Sequence, residues 1–146
     1  MSTVIGAASP TDLPAVIRLL DASGLPHRDV TAALLAHYLL AKRGAALVGV
    51  VGLEPLGTVG LLRSLAVASS HRGHGLGVEL TRALERYARD LNVAKLYLLT
   101  ATAERLFGKL GYQAIPREDV PPPIQATTEY RELCSSTSVC MVKSLD

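Results

Sequence analysis

The segment from Leu61 to Gly77 constrains the fold of this chain most, because it joins an apolar strand to a long helix through a glycine-rich turn. Its first part, residues 61–68, is rich in Leu and Val, as is typical of a buried strand. Glycines follow at positions 73, 75 and 77, and helical periodicity begins there. A strand that turns directly into a helix predicts a sheet with helices packed on its faces.

The helix after this turn is predicted over residues 75–91. Its apolar face consists of residues at helical spacing, namely Leu76, Leu80, Ala83, Leu84, Tyr87, Ala88 and Leu91. Charged residues, among them Glu85 and Arg89, fall on the opposite face. Glu85 precedes Arg89 by four positions, which is the favourable order for an ion pair along a helix. We therefore expect this charged face to point away from the core.

The rest of the sequence alternates short strands and helices. Strands are predicted at residues 3–7, 38–42, 47–53, 95–100, 112–115 and 139–143, and helices from Asp12 to Gly24 and at 102–110. Residues 29–43 fit a helix or a hairpin arm that turns at Arg43 and Gly44, and we favour a short helix to about Ala36 followed by a strand. The expected fold class is α/β (α+β), with a mixed sheet of about seven strands and helices on its faces.

The composition fits a single domain and excludes several classes of function. With 146 residues, 49% of them hydrophobic, the chain can bury one core over residues 1–146. Its net charge of +2 is scattered and its aromatics are five Tyr and one Phe, so nucleic-acid binding is not expected. No apolar run reaches the ~18–20 residues of a membrane span, and no signal-peptide pattern is present. Two cysteines favour a reducing compartment, so we expect a cytoplasmic protein without membrane contact.

The glycine turn also predicts an anion site. Alternate glycines let backbone N–H groups converge on one point, and a helix start adds unpaired donors and partial positive charge. The turn lacks the lysine of a Walker loop and the G-x-G-x-x-G spacing of a dinucleotide fingerprint. It does match the pattern [RQ]-x-x-G-x-[GA] from Arg72 to Gly77. A phosphate or pyrophosphate is the favoured ligand, and a plain helix cap is the alternative.

This turn, with Leu65-Ala66-Val67 before it and the run Leu106-Phe-Gly-Lys-Leu-Gly-Tyr112 after it, resembles the GCN5-related N-acetyltransferases (GNAT). The resemblance covers nearly the whole chain. It implies a mostly antiparallel sheet, acetyl-CoA as donor, and a pantetheine arm paired with the strand backbone where two central parallel strands splay apart. The cofactor-binding residues so implied are Leu65, Ala66, Val67, Arg72, Gly73, His74, Gly75, Leu76, Gly77, Thr100 and Phe107. No metal is expected.

Within that family the chain looks similar to small amino-acid acetyltransferases, including those encoded beside arsenic-resistance genes. The segments that carry this likeness are residues 61–67, 98–107 and 133–143. The likeness implies a small amino acid or analogue as acceptor, including an arsenic-containing one. Cys134 and Cys140 also invite a direct metalloid site, but two small buried hydrophobes are the favoured interpretation. Replacing each of them by Ser is then expected to leave activity intact.

Acetyl transfer needs a deprotonated amine, a donor to the thioester oxygen and a proton for the leaving thiolate. The resemblance implies that the backbone N–H of Leu65 is the oxyanion donor. Many members carry a tyrosine acid four residues before the glycine of the Gly-aromatic pair, but this chain has Phe107 there, so water or another hydroxyl must serve. Glu54 is the candidate base, with a solvated carboxylate as the alternative. His27 is a weaker candidate.

An amino-acid acceptor carries a carboxylate, which an arginine fork can hold. Arg63 lies two residues before Leu65, so both side chains share one face of the strand unless a bulge intervenes. A structural ion pair is the alternative role for Arg63. Further candidates for the acceptor pocket are His27, Arg28, Thr127, Thr128 and Ser138. The remaining pair, His71 and His74, is expected to be exposed beside the phosphate loop.

Two other functions stay open. The missing tyrosine fits a non-catalytic acyl-CoA-binding sensor of the same fold, and a protein N-terminus or lysine is an alternative acceptor. Long loops at residues 24–28 and 116–130 favour a closed cleft and hence a small-molecule amine. A sheet edge expected near residues 139–143 makes a homodimer a candidate assembly.

Overall fold

The computed structural model describes residues 2–134 and 137–145. The strands of its sheet are β1 (Thr3–Ala7), β2 (Tyr38–Arg43), β3 (Ala46–Leu56), β4 (Val59–Val67), β5 (Lys95–Thr100), β6 (Gln113–Ile115) and β7 (Val139–Ser144). The α-helices are α1 (Leu13–Ala22), α2 (Leu76–Asp90), α3 (Glu104–Lys109) and α4 (Pro122–Gln125). A π-helical turn covers Glu129–Leu133. Across these described ranges, no helix combines the length and apolarity needed to cross a bilayer.

The sheet runs in the order β1-β2-β3-β4-β5-β7-β6. All neighbouring strands are antiparallel except β4 and β5, which pair in parallel only from Val59–Lys95 to Leu61–Tyr97. Beyond these pairs the two strands diverge. The predicted mixed, mostly antiparallel sheet with splayed central strands is therefore confirmed.

Helices cover both faces of the sheet. On one face, α2 and α3 pack through Leu80, Leu84 and Phe107 onto the main apolar cluster. On the other face, α1 packs against Tyr38 and its neighbours, and α4 packs on a separate cluster around Leu61. Two apolar clusters therefore share the second face, which leaves room between them for polar groups.

The ambiguous segment before β2 contains a short 3₁₀ turn, Leu34–His37, which leads directly into the strand. This agrees with a short helix followed by a strand. The predicted sheet edge at residues 139–143 is wrong, because β7 lies between β5 and β6 and both of its sides are paired. The edge argument for a homodimer is thereby lost.

The predicted outward position of Glu85 is also wrong. Its side chain is buried, and both of its carboxylate oxygens lie 3.0 Å from Lys143 Nζ. The Tyr112 hydroxyl donates to Glu85 Oε2 at 3.0 Å, and Arg89 instead donates to the carbonyl of Leu145. Helical periodicity could not reveal this arrangement, because the cation comes from β7.

Candidate active site

The glycine turn adopts the backbone conformation that its sequence requires. Gly73 and Gly75 have φ values of +83° and +81°, in the left-handed region that side chains disfavour. A Cβ at either position would have open space, so the dihedral angle and not crowding demands glycine. Arg72 Nε donates to the Val67 carbonyl at 2.9 Å, which ties the turn to the end of β4. Beyond the turn, the first N–H groups of α2 lack intrahelical acceptors and can bind an anion.

A bulge in β4 shapes the strand beside this turn. Arg63 pairs with Gly52 and Ala66 with Val50, so two residues of β4 stand opposite one residue of β3. Ser64, inside the bulge, has φ of +60°. The Ala68 N–H donates to Val48 of β3 at 2.8 Å. Since N–H groups alternate in direction along a regular strand, that of Val67 points toward β5 and the gap beside it.

The divergence of β4 and β5 opens a cleft of about 380 Å³. Of the predicted site residues, those that line the cleft are Arg63, Leu65, Thr100, Phe107 and Ser138. Thr100 Oγ1 accepts hydrogen bonds from the N–H groups of Thr102 and Ala103, so its hydroxyl is occupied at the entry to α3. Phe107 packs edge-to-face on the buried Tyr112 ring, with centroids 5.5 Å apart.

Arg63 lies at the inner end of the cleft, and its side chain is 0% exposed. Its Nη1 and Nη2 each donate to one oxygen of Asp29 at 2.6 Å, forming a bidentate pair. Nη1 also donates to Glu54 at 2.6 Å. Nε lies 3.4 Å from Glu129 Oε1. These four residues are called the Arg63 group below, and they bring three carboxylates around one guanidinium.

The electrostatics of the Arg63 group follow from this composition. Burial raises the pKa of the Glu129 carboxyl to about 7, in competition with the charge of Arg63, and the charges of Glu54 and Asp29 raise it further. Burial by itself would lower the pKa of Arg63, but the hydrogen bond to Asp29 and the other negative charges raise it overall. Arg63 therefore stays charged, whereas Glu129 exchanges its proton near neutral pH.

A row of three residues across the sheet supports this group. Tyr38 pairs with Gly52, and Gly52 pairs with Arg63. A Cβ on Gly52 would lie 2.2 Å from carbons of the Tyr38 ring, so only glycine lets the ring lie flat across β3. The Tyr38 hydroxyl is then 2.7 Å from Ser64 Oγ in the bulge. Burial raises the pKa of Tyr38 to about 12, so the phenol stays protonated.

Three predicted candidates lie away from the cleft lining. Glu54 is within β3, not at its end, and its carboxylate binds Arg63 without being one of the lining side chains. The other two are His27, which pairs with Asp21 at 3.1 Å, and the exposed Arg28, which pairs with Glu132 at 3.2 Å. The predicted role of Arg63 as a ligand of a substrate carboxylate meets an obstacle, because the substrate would have to displace Asp29 or Glu54.

The remaining candidates have structural partners or lie at the surface. Thr127 Oγ1 donates to the Ile124 carbonyl, which closes the end of α4. The pair His71 and His74 lines a shallow surface depression beside the glycine turn. Cys134 lines the cleft, and burial raises the pKa of its thiol to about 12, so it is protonated at neutral pH. Cys140 is buried in the sheet.

Sequence reasoning missed Asp29 and Glu129. Neither lies in a motif, and they reach Arg63 from a loop and from the π-helical turn. One signal was available, because an arginine inside an apolar strand needs buried counter-charges. That signal requires acidic partners but does not say which of the thirteen acidic residues supply them.

Comparisons with known proteins agree with this geometry. Mouse (Mus musculus) N-acetyltransferase 8B is 32% identical over 87 residues, which are 53% of this chain and 38% of that protein. N-acetylglutamate synthase from Neisseria gonorrhoeae, crystallised with coenzyme A and N-acetyl-glutamate, superimposes with a TM-score of 0.86 at 20% identity, over 100% of this chain and 36% of that one. Rv2747 from Mycobacterium tuberculosis, crystallised with CoA, gives 0.82 at 21% identity, over 97% and 98%. This chain thus spans little more than a third of the mouse and Neisseria proteins.

The two structural neighbours share the fold of this chain at low sequence identity. The sequence profile described as the acetyltransferase (GNAT) family matches residues 16–112, which is more than half of the sequence. The matched region includes the β4 bulge, the glycine turn and α2. The chain belongs to the acetyltransferase (GNAT) family.

Proposed function

We propose that this chain is an acetyl-CoA-dependent N-acetyltransferase whose acceptor is the amine of a small amino acid or amino-acid analogue. The observation that carries this proposal is the divergence of β4 from β5 beside the glycine turn, which joins an anion site to a cleft through one strand. Family membership supports the reaction, and two structural neighbours were crystallised with coenzyme A. The acetyl group passes directly from donor to amine in a ternary complex.

The coenzyme follows the path from α2 to the cleft. Its pyrophosphate binds the backbone N–H groups of residues 72–77 at the positive end of α2. Its pantetheine arm pairs with Leu65 and Val67 like an added strand and lies beside Phe107. The thioester oxygen then accepts a hydrogen bond from the Leu65 N–H, which stabilises the oxyanion as the amine attacks.

The amine of the acceptor binds at the Arg63 end of the cleft. Three carboxylates against one guanidinium leave excess negative charge there, which attracts an ammonium group. A carboxylate of this group takes the ammonium proton, and Glu54 is the candidate that the sequence supplies. Ser138, which lines the cleft, supplies a further polar contact to the acceptor. Arg28 and His27 lie outside the lining and contact the acceptor only if they release Glu132 and Asp21. The small cleft volume and the amino-acid products and ligands of the Neisseria neighbour support an amino acid as acceptor.

The first experiment measures thiol release from acetyl-CoA with a panel of amines. The panel contains proteinogenic amino acids, arsenic-containing amino-acid analogues, and a peptide with a free N-terminus and lysine. We expect release that depends on an amino acid, with coenzyme A binding visible by calorimetry. Coenzyme binding without acceptor-dependent release would instead support the acyl-CoA sensor, and release with the peptide alone would support a protein acceptor.

A matched pair of glycine variants tests the coenzyme site. Gly75→Ala places a side chain at φ of +81° in the anion site, and Gly57→Ala does the same at +76° in the hairpin between β3 and β4. Both changes strain the backbone equally, but we expect only Gly75→Ala to weaken coenzyme A binding, by tenfold or more. Equal affinities in the two variants would place the pyrophosphate elsewhere and refute the proposed coenzyme site.

A further inference from the structure

We propose that Glu129, and not Glu54, accepts the proton of the acceptor ammonium, and that Arg63 is the positioning residue that holds it there. The inference rests on the proposed N-acetyltransferase function and names the group that performs its proton transfer. It arises from a difference in burial and hydrogen bonding among the three carboxylates around Arg63. Residue type alone does not reveal this difference.

The three carboxylates are not equally compensated. Asp29 and Glu54 each accept hydrogen bonds of 2.6 Å from Arg63, and their side chains are 18% and 19% exposed. Among the residues that the structure describes, the ion-pair contact of Glu129 is the 3.4 Å one to Nε, and its side chain is 6% exposed. Its negative charge is therefore the most desolvated and the least neutralised of the three, which makes Glu129 the strongest proton acceptor.

Glu129 also has the right position. It lines the cleft together with Leu65, whose N–H is the proposed oxyanion donor, whereas Glu54 does not. An amine in this cleft can thus meet Glu129 on one side and the thioester on the other. Glu54 binds Arg63 Nη1 outside the cleft lining and fixes the position of the guanidinium.

Several elements supply the charged and titratable groups around Glu129. These groups are Arg63 from β4, Glu54 from β3, Tyr38 from β2, Asp29 from the loop after α1, and Cys134 at the end of the π-helical turn. The thiol and the phenol stay neutral at pH 7, because burial raises the pKa of each. The nearby charges are then one cation and two anions, a balance that favours the protonated form of Glu129.

The acceptor nitrogen loses two protons in each reaction. The ammonium N–H bond breaks and its proton moves to a Glu129 oxygen, which leaves a lone pair on nitrogen. Nitrogen bonds to the thioester carbon, and the C–S bond breaks when the tetrahedral intermediate collapses. Nitrogen loses its second proton in this step, the coenzyme A thiolate takes up one proton, and one is released to solvent. Glu129 ends each cycle unprotonated.

The decisive experiment compares pH profiles of kcat/KM for the wild-type chain, E129Q, E54Q and E118Q. Glu118 is an exposed carboxylate in the same connection between β6 and β7, so E118Q controls for loss of charge. The pKa of about 7 predicts a wild-type profile that rises with pH through 7, because only the ionised carboxylate accepts a proton. We expect E129Q to lose this limb and at least 10²-fold of kcat/KM at pH 8.

The other variants separate the roles. E54Q keeps the limb but moves it to lower pH, because the charge of Glu54 raises the pKa of Glu129. E118Q matches the wild type within about twofold. A limb that persists in E129Q, or that disappears in E54Q, overturns the inference. Acetyl transfer by the wild type would still support the proposed function. Absence of acetyl transfer by the wild type counts against the proposed function itself.

A second measurement needs no activity and no folded variant. Carbon-13 NMR of side-chain carboxyl-labelled glutamate in the wild-type chain follows each carboxyl through its own titration. We expect one buried carboxyl to titrate near pH 7, with its resonance absent from E129Q where that variant folds. A chain in which every glutamate titrates below pH 5 contradicts the inference, whatever the variants do.

Discussion

Within residues 2–134 and 137–145, two ionic groups form around a buried charge, Arg63 in one and Glu85 in the other, and their charge balances are opposite. The Arg63 group holds three carboxylates around one guanidinium beside the cleft. The Glu85 group holds one carboxylate between two cations, Lys143 at 3.0 Å and Arg82 at 3.4 Å, and it also accepts from the Tyr112 hydroxyl. It lies between α2 and the sheet, and none of its members lines the cleft.

From this difference we infer that the Glu85 group is structural, whereas the Arg63 group is the proposed functional one. In the Glu85 group the acid is fully compensated, and the pKa of Tyr112 is raised by burial and by the carboxylate, so the phenol remains a donor. In the Arg63 group, negative charge exceeds positive charge and one carboxyl titrates near neutral pH. A buried excess of one sign next to a cavity is costly unless a ligand of the opposite sign enters.

The largest expected effect is the loss of Arg63. Arg63→Met leaves the buried Glu129 and the half-buried Asp29 and Glu54 without their cation, so we expect the free energy of unfolding to fall by about 3–5 kcal/mol at pH 8. The loss should shrink at pH 5, because Glu129, whose pKa is about 7, then carries a proton and adds no charge. Urea unfolding at both pH values measures it. A loss of about 1 kcal/mol or less, typical of exposed pairs, would contradict the charge imbalance.

Removal of Lys143 tests the balanced group in the same way. Lys143→Met removes hydrogen bonds to Glu85 and to the Leu110 carbonyl, but Arg82 and Tyr112 remain. We expect a loss of about 2–3 kcal/mol in the free energy of unfolding. Turnover per folded molecule should stay at the wild-type value, since this group does not face the cleft. A large fall in turnover with intact folding would contradict a purely structural role of the Glu85 group.

Gly52→Ala perturbs the Arg63 group through the row of paired residues Tyr38, Gly52 and Arg63. The new methyl group meets the Tyr38 ring, and overpacking of this kind costs about 1–3 kcal/mol. The ring must move, so turnover should fall as well. Gly6→Ala in β1 is the matched control, because its Cβ has open space, and we expect a change within about 0.5 kcal/mol. Thermal unfolding of both variants decides the point, and similar melting temperatures would show that the ring does not depend on Gly52.

The smallest effects come from two hydroxyl deletions, one in each region. Tyr38→Phe removes the contact with Ser64, and Tyr112→Phe removes the donor to Glu85. Each should cost about 1 kcal/mol of stability. Only Tyr38→Phe should also lower kcat, because Ser64 belongs to the bulge that precedes Leu65, the proposed oxyanion donor. Equal kcat values in the two variants would show that the bulge does not contribute to catalysis.

Sequence reasoning recovered what depends on nearby residues. The strand at β4, the left-handed glycines, the helix α2 and the strand β5 follow from local periodicity and from dihedral angles that glycine alone tolerates. Sequence reasoning failed for Glu85, because Lys143, the cation that pairs with its buried carboxylate, comes from β7. It also failed for the position of β7 in the sheet, since strand order is a long-range property.

The sequence by itself determined the strand–turn–helix unit, where it also predicts an anion site, and it offered an ion pair as the alternative role of Arg63. Only the tertiary structure decided which acids pair with it, because Asp29, Glu54 and Glu129 come from three separate segments that meet through the packing of the sheet. The same packing gives the partners unequal burial and unequal hydrogen bonds. Proton affinity depends on that local environment, so the base could not be chosen from the residue types alone.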